Sequence, residues 1–487
     1  MARLLHYSDI ENVYDTPERA ARLAGRIRDL DGPDAAVVAT GDTTAPGVLS
    51  LVAKGRQVTD FYAATDTLLD TFGNHEFDYG PDALRELVAD AGPTFVSANV
   101  RDEDGEPFGR EAGVVPHALR EVGGDRVGFL GLPDPATDSL NPLAAPLTFD
   151  DPLPAAREAV EDLRAEGVDH VVVLSHLGSA DDDLARELEV DAVLGGHVHS
   201  RRHEYVDGVL LVRPGVNGQC VIEVDLDGNG ASERDAGRDD VHGGARDVPL
   251  GAPTATFHER DGAEPHGDLR DALERRMAAA DLDEVVAHVD EPVERTGEVV
   301  HGGECRVGNF VADAFRWAHD ADVGLSNAGG LRQGDPFAGA VTKADTISLI
   351  PFEEPVVVTE LSGTELLAVL REMAAADVAF GEADWWHGHV SGARGGWDAE
   401  AEELVEATVG GDPVAPNATY TLATSEYLLH SDHEFPTLEE RHRAGEDGIQ
   451  HEVLAEYARE HGIDPEIEGR IRIVEGARSS PAPDGAE

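Results

Sequence analysis

The chain has 487 residues, which is too long for one ordinary hydrophobic core, so we expect two domains. Hydrophobic residues make up 41% of it, yet no apolar stretch approaches the roughly 20 residues that a membrane-spanning helix needs. The N-terminus lacks the basic and apolar regions of a secretory signal, so we expect a cytoplasmic protein without a membrane partner.

The charge is strongly negative, with 97 Asp and Glu against 38 Lys and Arg and a formal net charge of −59. Such self-repulsion disfavours a compact chain in dilute buffer, but it is tolerable in molar salt, which shortens the screening length to about 3 Å. Because the acidic residues are scattered, we expect the solvated surface of a protein from an extreme halophile rather than an acidic DNA mimic or a disordered chain. No basic stripe is present in the sequence, so no nucleic-acid partner is expected.

The first half alternates helix-like and strand-like segments. Thr16 and Pro17 begin a predicted helix with apolar residues at helical spacing, and PDALRELVADAG at 81–92 repeats the pattern. The β-branched runs AAVVAT, HVVVLS and DAVLGG lie between such segments. This alternation predicts an α/β domain over 1–230.

After Asp227 the sequence becomes rich in Gly and Asp, which predicts a linker over 231–284 with a helix at 268–280. A second folded unit is predicted over 285–475. It contains a helix from about Val307 to Ala318, and Ser362 begins another. The tail at 476–487 is predicted to be disordered.

Five apolar runs of the first half each end in polar side chains that can bind a metal ion. Ligands of α/β sheets gather at the carboxyl ends of strands, so these side chains are predicted to converge in one crevice. In chain order they are Asp9 and Glu11, Asp42, then Asn74, His75 and Asp78, then His176, and finally His197 and His199.

Mixed carboxylate, amide and imidazole donors favour Mn, Zn, Co or Fe over Ca. Asp42 is the natural bridge between two such ions, because a single carboxylate between two ions can bind both. Two cations about 3.5–4 Å apart would bind both oxygens, attacking and leaving, of an in-line displacement at phosphorus. They would also supply hydroxide at neutral pH.

The motifs GD at 41–42, GNHEFDYG at 73–80, SH at 175–176 and GHVH at 196–199 resemble those of the calcineurin-like metallophosphoesterases. GNHEFDYG together with SANV at 97–100 is similar to their 5'-nucleotidase branch, of the bifunctional 2',3'-cyclic-nucleotide phosphodiesterase/5'-nucleotidase type. The second half of the chain resembles the substrate domain of the same branch in the segments at 308–334, 350–363, 390–394 and 420–429. The resemblance implies a four-layer β-sandwich flanked by helices, followed by a C-terminal α/β substrate-binding domain.

Carried over position by position, the resemblance implies two metal sites that share Asp42. One ion would be held by Asp42 with Asp9, Glu11 and His199, where Glu11 stands at the usual histidine position. The other would be held by Asp42 with Asn74, His176 and His197. His75 falls at the position of the family's catalytic histidine and Asp78 at that of the carboxylate that orients it; a second-layer pair that merely stiffens the loop is the alternative.

In the second domain, Asn327 and Arg332 stand where the family contacts the nucleotide, and Phe352 and Tyr427 stand at its two base-stacking positions. Ordinary core packing is the alternative for both rings. The family follows its second aromatic with a Gly-Gly-Asp turn, whereas this chain has SDH at 431–433. An arginine common upstream of the GN helix is not clearly matched.

The resemblance implies a metal-dependent hydrolase that converts nucleoside monophosphates to nucleoside and phosphate, with His75 assisting hydroxide attack on phosphorus. Cyclic 2',3'-nucleotides and nucleotide-sugars are possible further substrates. Two alternatives stay open: a metallophosphoesterase of a non-nucleotide ester, and a non-catalytic nucleotide-binding homologue in which Glu11 has abolished metal binding.

Overall fold

The computed structural model describes residues 2–228, 251–280, 282–374, 385–431 and 433–474. The chain divides into two compact units, Met1–Asp281 and Leu282–Glu487. The predicted tail at 476–487 and the part of the predicted linker up to residue 250 lie outside the described residues.

The first unit is built from strands and helices in alternation. Its strands are β1 (Arg3–Tyr7), β2 (Ala35–Ala39), β3 (Leu69–Asp70), β4 (Thr94–Phe95), β5 (Val100–Arg101), β6 (His117–Val122), β7 (Asp125–Pro133), β8 (Thr148–Phe149), β9 (His170–His176), β10 (Ala192–Gly195), β11 (Arg201–Val206), β12 (Val209–Pro214), β13 (Cys220–Asp225) and β14 (Thr254–Glu259). Its helices are α1 (Pro17–Leu30), α2 (Val48–Ala53), α3 (Val58–Thr65), α4 (Gly80–Asp90), α5 (Thr137–Leu140), α6 (Pro152–Glu166), α7 (Asp181–Glu187) and α8 (Gly267–Ala279).

These strands form two large sheets, ordered β14-β13-β1-β2-β3-β4 and β11-β12-β10-β9-β7-β6. Side chains alternate along each strand: Leu4 and Val172 belong to an apolar cluster shared by both sheets, whereas Leu5 faces a helix-covered core on one outer side and Val173 faces another. The unit therefore has four layers, helix–sheet–sheet–helix, and the predicted sandwich is confirmed.

The central strands run parallel in both sheets, β1 to β4 in one and β7, β9, β10 and β12 in the other. Parallel strands place their carboxyl ends at one edge of a sheet. The polar side chains that follow β1, β2, β3, β9 and β10 consequently lie at such edges.

The described part of the predicted linker differs from the expectation. Strand β14 pairs antiparallel with β13, and Leu269 and Leu273 of α8 are buried in the core that α1 covers. The predicted helix at 268–280 is present as α8. Residues 254–279 are thus part of the first unit, because β14 extends its sheet and Leu269 and Leu273 pack into its core.

The second unit mixes strands and helices in the same way. Its strands are β15 (Val285–Val293), β16 (Val323–Asn327), β17 (Phe337–Thr342), β18 (Pro355–Ser362), β19 (Gly388–Ser391), β20 (Ala393–Asp398), β21 (Glu403–Val409), β22 (Asp412–Pro413), β23 (Thr419–Ser425), β24 (Arg443–Ile449) and β25 (Ile471–Val474). Its helices are α9 (Gly297–His301), α10 (Arg306–His319), α11 (Lys343–Leu349), α12 (Gly363–Arg371) and α13 (Gln450–His461).

The largest described sheet of this unit has the order β19-β16-β23-β18-β24, with a separate sheet ordered β22-β21-β20-β25. Helix α10 buries Phe310, Val311 and Phe315 against the first sheet, as its apolar spacing predicts. Among the described helices of the chain, none combines the length and the apolar composition that crossing a membrane requires.

Candidate metal centre

The loops after the first two strands place carboxylates at the sheet edge with an unusual backbone. Asp9, Glu11 and Asp42 have φ of 49°, 39° and 49°, in the left-handed region that non-glycine residues rarely adopt. His197, after β10, has φ of 71°. Such conformations cost on the order of 1–3 kcal/mol each and cluster at functional sites, where neighbouring structure enforces them. Here the Asp9 N–H donates to the Gly41 carbonyl and the Glu11 N–H to that of Asp42.

One group of possible ligands joins Asp42, His176 and His197. Nε2 of His176 lies 3.1 Å from Oδ2 of Asp42, and Nδ1 of His197 lies 3.0 Å from Oδ1 of Asn74. Nδ1 of His176 donates to the Thr40 carbonyl at 2.6 Å, so Nε2 is the ring nitrogen left for a metal ion beside Asp42. The four residues proposed for one ion are therefore linked by these short distances.

A second group joins Asp9, Glu11 and His199. Nε2 of His199 lies 2.9 Å from Oε1 of Glu11 and 3.9 Å from Oδ1 of Asp9. Both carboxylates are buried, while the His199 side chain is 47% exposed. Burial and the charge of Asp42 raise the pKa of Asp9 to about 7, against the opposite effect of His176, so Asp9 lies within electrostatic reach of the first group.

The donor atoms fit divalent cations. Nε2 of His176 and Oε1 of Glu11 are buried, and their near neighbours, Oδ2 of Asp42 and Nε2 of His199, are themselves metal-ligating atoms. A cation between these carboxylates and imidazoles would satisfy polar atoms that a protein interior otherwise pairs incompletely. The mixture of oxygen and imidazole donors suits Mn, Zn, Co or Fe.

His75 lies beside these groups and is fixed by a chain of hydrogen bonds. Its Nδ1 lies 3.0 Å from Oδ2 of Asp78, whose Oδ1 accepts a 2.9 Å bond from Nδ2 of Asn141. Its backbone N–H donates to Oδ1 of Asp42 at 2.9 Å. Burial alone would lower the pKa of His75, but the charges of Asp78 and Asp42 outweigh it and raise that pKa to about 9.

In the second unit, the predicted nucleotide contacts lie at strand ends and on adjoining loops. Asn327 ends β16, and the guanidinium carbon of Arg332 lies 5.0 Å from the centre of the Phe352 ring. Tyr427 follows β23; burial and the charge of Glu434 raise its pKa to about 12, against the opposite effect of its hydrogen bond with Ser431. The structure thus brings Arg332 and Phe352 together.

Comparison with known families assigns both units. Residues 2–201 match the family described as calcineurin-like phosphoesterase, and residues 285–440 match the 5'-nucleotidase C-terminal domain. The chain therefore combines a calcineurin-like phosphoesterase domain with a 5'-nucleotidase C-terminal domain. The resemblance inferred from the motifs is therefore confirmed, and with it the two-domain fold.

Similar proteins differ in how much of their own length this chain covers. The trifunctional nucleotide phosphoesterase YfkN of Bacillus subtilis is 25% identical over 459 residues, 83% of this chain and 30% of that protein. An apyrase of Tabanus yao is 26% identical over 451 residues, 83% of this chain and 78% of that protein. The chain thus spans about a third of the length of YfkN. It likewise covers 30% of the B. subtilis endonuclease YhcR.

Among solved structures, a 5'-nucleotidase precursor from Thermus thermophilus superposes with a TM-score of 0.77 and 25% identity, covering 98% of this chain and 100% of that one. The sulfate thiohydrolase SoxB of Thermus thermophilus superposes with a TM-score of 0.71 at 20% identity, which shows a shared fold alone. Calcineurin-like phosphoesterases use two divalent metal ions, and the two residue groups of the first unit agree with the predicted cofactors.

Two carboxylates that support this phosphoesterase site escaped the sequence analysis. Glu76 is buried inside the GNHEFDYG motif and accepts the backbone N–H groups of Gly73, Asp42 and Thr43 at 2.6–2.8 Å, which fixes the loops on either side. Its place within the motif was the available signal, but only the structure shows that it faces backbone instead of a metal.

Asp134 is the other missed carboxylate. Its Oδ2 lies 3.4 Å from Nε2 of His197, the ring nitrogen opposite the one beside Asn74. A carboxylate in that position fixes the orientation of a metal-binding imidazole and increases its basicity. Asp134 directly follows β7, so the strand-end rule used for the other ligands would have found it.

Proposed function

We propose that the chain is a two-metal hydrolase of nucleotide phosphoesters, acting first of all as a 5'-nucleotidase that converts nucleoside monophosphates to nucleoside and phosphate. The observation that supports this most is the meeting of Asp42, His176 and His197 on one side and Asp9, Glu11 and His199 on the other. Cyclic 2',3'-nucleotides and nucleotide-sugars are further candidate substrates, since they present the same phosphorus ester chemistry.

Two sets of residues in the first unit would bind the two ions. Asp42, Asn74, His176 and His197 would hold one ion, and Asp9, Glu11 and His199, with Asp42 shared, would hold the other. When bound, such ions supply Lewis-acid stabilisation of phosphoryl oxygens and increase the acidity of water at the site.

His75 supplies the remaining chemistry. Asp78 holds its Nδ1, so Nε2 is the atom that can donate a proton or hydrogen bond to a phosphoryl or leaving-group oxygen. Asn141 in turn holds Asp78 and prevents the pair from rotating away.

The second unit supports a nucleotide substrate. Arg332, stacked on Phe352, offers a planar guanidinium for phosphate, ribose or a base carbonyl. Phe352 and Tyr427 offer aromatic faces, on which any base can stack. The chain's relatives, which include a trifunctional nucleotide phosphoesterase, an apyrase and a 5'-nucleotidase, favour the same substrate class.

The test is phosphate release from AMP and other nucleoside monophosphates, with Mn²⁺, Zn²⁺ or Co²⁺ in molar KCl. Asp42→Asn should abolish release because both sites lose their shared ligand, whereas Asp162→Asn, on the exposed side of α6, should not change it. His75→Asn should lower kcat by about 10²–10⁴-fold while the bound metal stays the same. No release across nucleotides and metals would contradict the proposal.

A further variant separates a nucleotide substrate from a non-nucleotide ester. Phe352→Ala should raise KM for nucleotides by about tenfold, since stacking contributes about 1–3 kcal/mol per base. It should hardly change hydrolysis of a small non-aromatic ester such as glycerol phosphate. Equal effects on both substrates would favour the alternative in which the base is not recognised.

A further inference from the structure

A buried carboxylate fixes the side-chain amide of Asn327 in the second unit. Nδ2 of Asn327 donates a 2.7 Å hydrogen bond to Oε2 of Glu434, whose side chain is only 3% exposed. An ionised carboxylate only accepts hydrogen bonds, so the amide must turn its nitrogen toward Glu434 and its oxygen away. Glu434 therefore decides which end of the Asn327 amide a ligand meets.

The amide oxygen is left as an acceptor beside glycine backbone. Oδ1 of Asn327 points toward Gly330, where an added Cβ would lie 2.8 Å from it. No group in the described parts of the chain donates a hydrogen bond to this oxygen. The adjoining Gly329 is exposed and Gly330 is half-buried, so the backbone on this side is open to a ligand.

Glu434 is itself held by the loop that carries Tyr427. Its backbone N–H donates to Oγ of Ser431 at 3.0 Å, and that hydroxyl lies 3.4 Å from the Tyr427 hydroxyl. Oε1 of Glu434 lies 3.7 Å from Nδ1 of His387 on the opposite side. Because the loop, the imidazole and Asn327 all surround the carboxylate, it has little freedom to release the amide.

We propose that Glu434 is a positioning residue that makes Asn327 an obligatory hydrogen-bond acceptor, so that the second unit selects nucleosides that present a donor there. The donor is an N–H of the base or an O–H of the ribose, which share this chemistry. The inference rests on the proposed function, which puts the nucleotide at Asn327. A neutral partner in place of Glu434 would let the amide flip and remove the selection.

The wild-type protein provides the first test. Nucleoside binding is measured by calorimetry on the full chain loaded with Mn²⁺ in molar KCl, using pairs that differ by one donor. Adenosine with purine riboside and guanosine with inosine test the base, whereas adenosine with 2'-deoxyadenosine or 3'-deoxyadenosine tests the sugar. In at least one pair the member lacking the donor should bind about tenfold more weakly or worse, because the acceptor is then covered without a partner.

Glu434→Gln tests the positioning role. Glutamine has nearly the same shape and can accept or donate, so the preference within the affected pair should fall to less than about threefold. Glu456→Gln, an exposed position on α13, should keep the wild-type preference. A variant that keeps the preference, or that weakens every nucleoside by one common factor, overturns the proposal.

Three results with the wild type alone would also overturn it, even if the variant fails to fold: no preference in any pair, a preference for members lacking the donor, or no nucleoside binding. Nucleosides carry no phosphate, so these results are independent of whether AMP is hydrolysed. Binding selectivity without phosphate release would contradict the proposed function and leave the role of Glu434 intact.

Discussion

Glu11 is the proposed ligand at which this site would differ from the family resemblance, which has a histidine at that position. Its buried carboxylate lies 2.9 Å from His199, so it faces the group and does not turn outward. An anionic oxygen in place of a neutral imidazole adds negative charge and favours a harder cation such as Mn²⁺ over Zn²⁺.

Glu11→His should consequently shift metal preference toward Zn²⁺, by on the order of tenfold. The measurement is bound Mn and Zn after dialysis against equal concentrations of both ions. Glu158→His, an exposed position on α6, is the control. Unchanged metal content and preference would count against ligation by Glu11.

Asp134 makes the complementary contribution from outside the ligand set, since it approaches the far nitrogen of His197. Asp134→Asn keeps the size of the side chain but weakens the hold on the ring. We expect Mn²⁺ affinity to fall by about 10–100-fold, the usual effect of losing such a partner. Calorimetric titration of the metal-free protein measures this without relying on activity, and an unchanged affinity would show that Asp134 is a bystander.

A carboxylate at the N-terminus of helix α12 makes the stability of the folded state depend on pH. Oε2 of Glu365 accepts from the Ser362 hydroxyl at 2.7 Å and from the Ser362 N–H at 2.9 Å, forming a capping box. These bonds, with a smaller effect of His442, lower the pKa of Glu365 from its ordinary 4.5 to about 2. A carboxyl group with a depressed pKa stabilises the folded state above its unfolded pKa and loses that effect as pH falls through the folded value.

Glu365→Gln removes this titration while keeping the shape of the side chain. We expect wild type to melt at a higher temperature than the variant at pH 5–7, with the difference vanishing as pH falls toward 2. Glu360→Gln, exposed on β18, should show no such pH-dependent difference. A wild-type advantage that persists at pH 2 would show that the ionised carboxylate is not its cause.

The strand ends show which parts of the site were predictable from sequence. Asp9, Asp42 and His176 follow apolar runs directly, so the rule that ligands gather at carboxyl ends of parallel strands was enough to group them. Glu76 was not predictable, because it sits among the same ligands in the sequence but turns to backbone N–H groups. The engagement of Asn327 by Glu434 joins residues 107 positions apart, which local patterns do not register.

The extent of the predicted linker, unlike the fold class, differs from the structure. The Gly- and Asp-rich stretch after Asp227 suggested a linker as far as residue 284, yet β14 and α8 belong to the first unit. Pairing of β14 with β13 depends on a partner in space, so its six-residue sequence carried no sign of it.

For the molecule as a whole, the net charge of −59 sets the dominant dependence on solution conditions. Screening of this repulsion by KCl should raise the melting temperature between 0.1 M and 3 M by roughly 10 °C, equivalent to about 3 kcal/mol for a unit of this size. The rise should be steepest below about 1 M KCl, where the screening length falls from about 10 Å to about 3 Å. A rise that is small below about 1 M and continues up to 3 M would show that charge repulsion is not the cause.

Titration of Mn²⁺ into the metal-free protein in molar KCl measures whether the sheet edge of the first unit holds two catalytic divalent ions. Bound metal per chain and phosphate release from AMP are measured on the same samples. Bound Mn²⁺ should saturate at two ions per chain, and phosphate release should reach its maximum as the second ion binds. Full release from the metal-free protein, or saturation at fewer than two ions, would contradict this prediction.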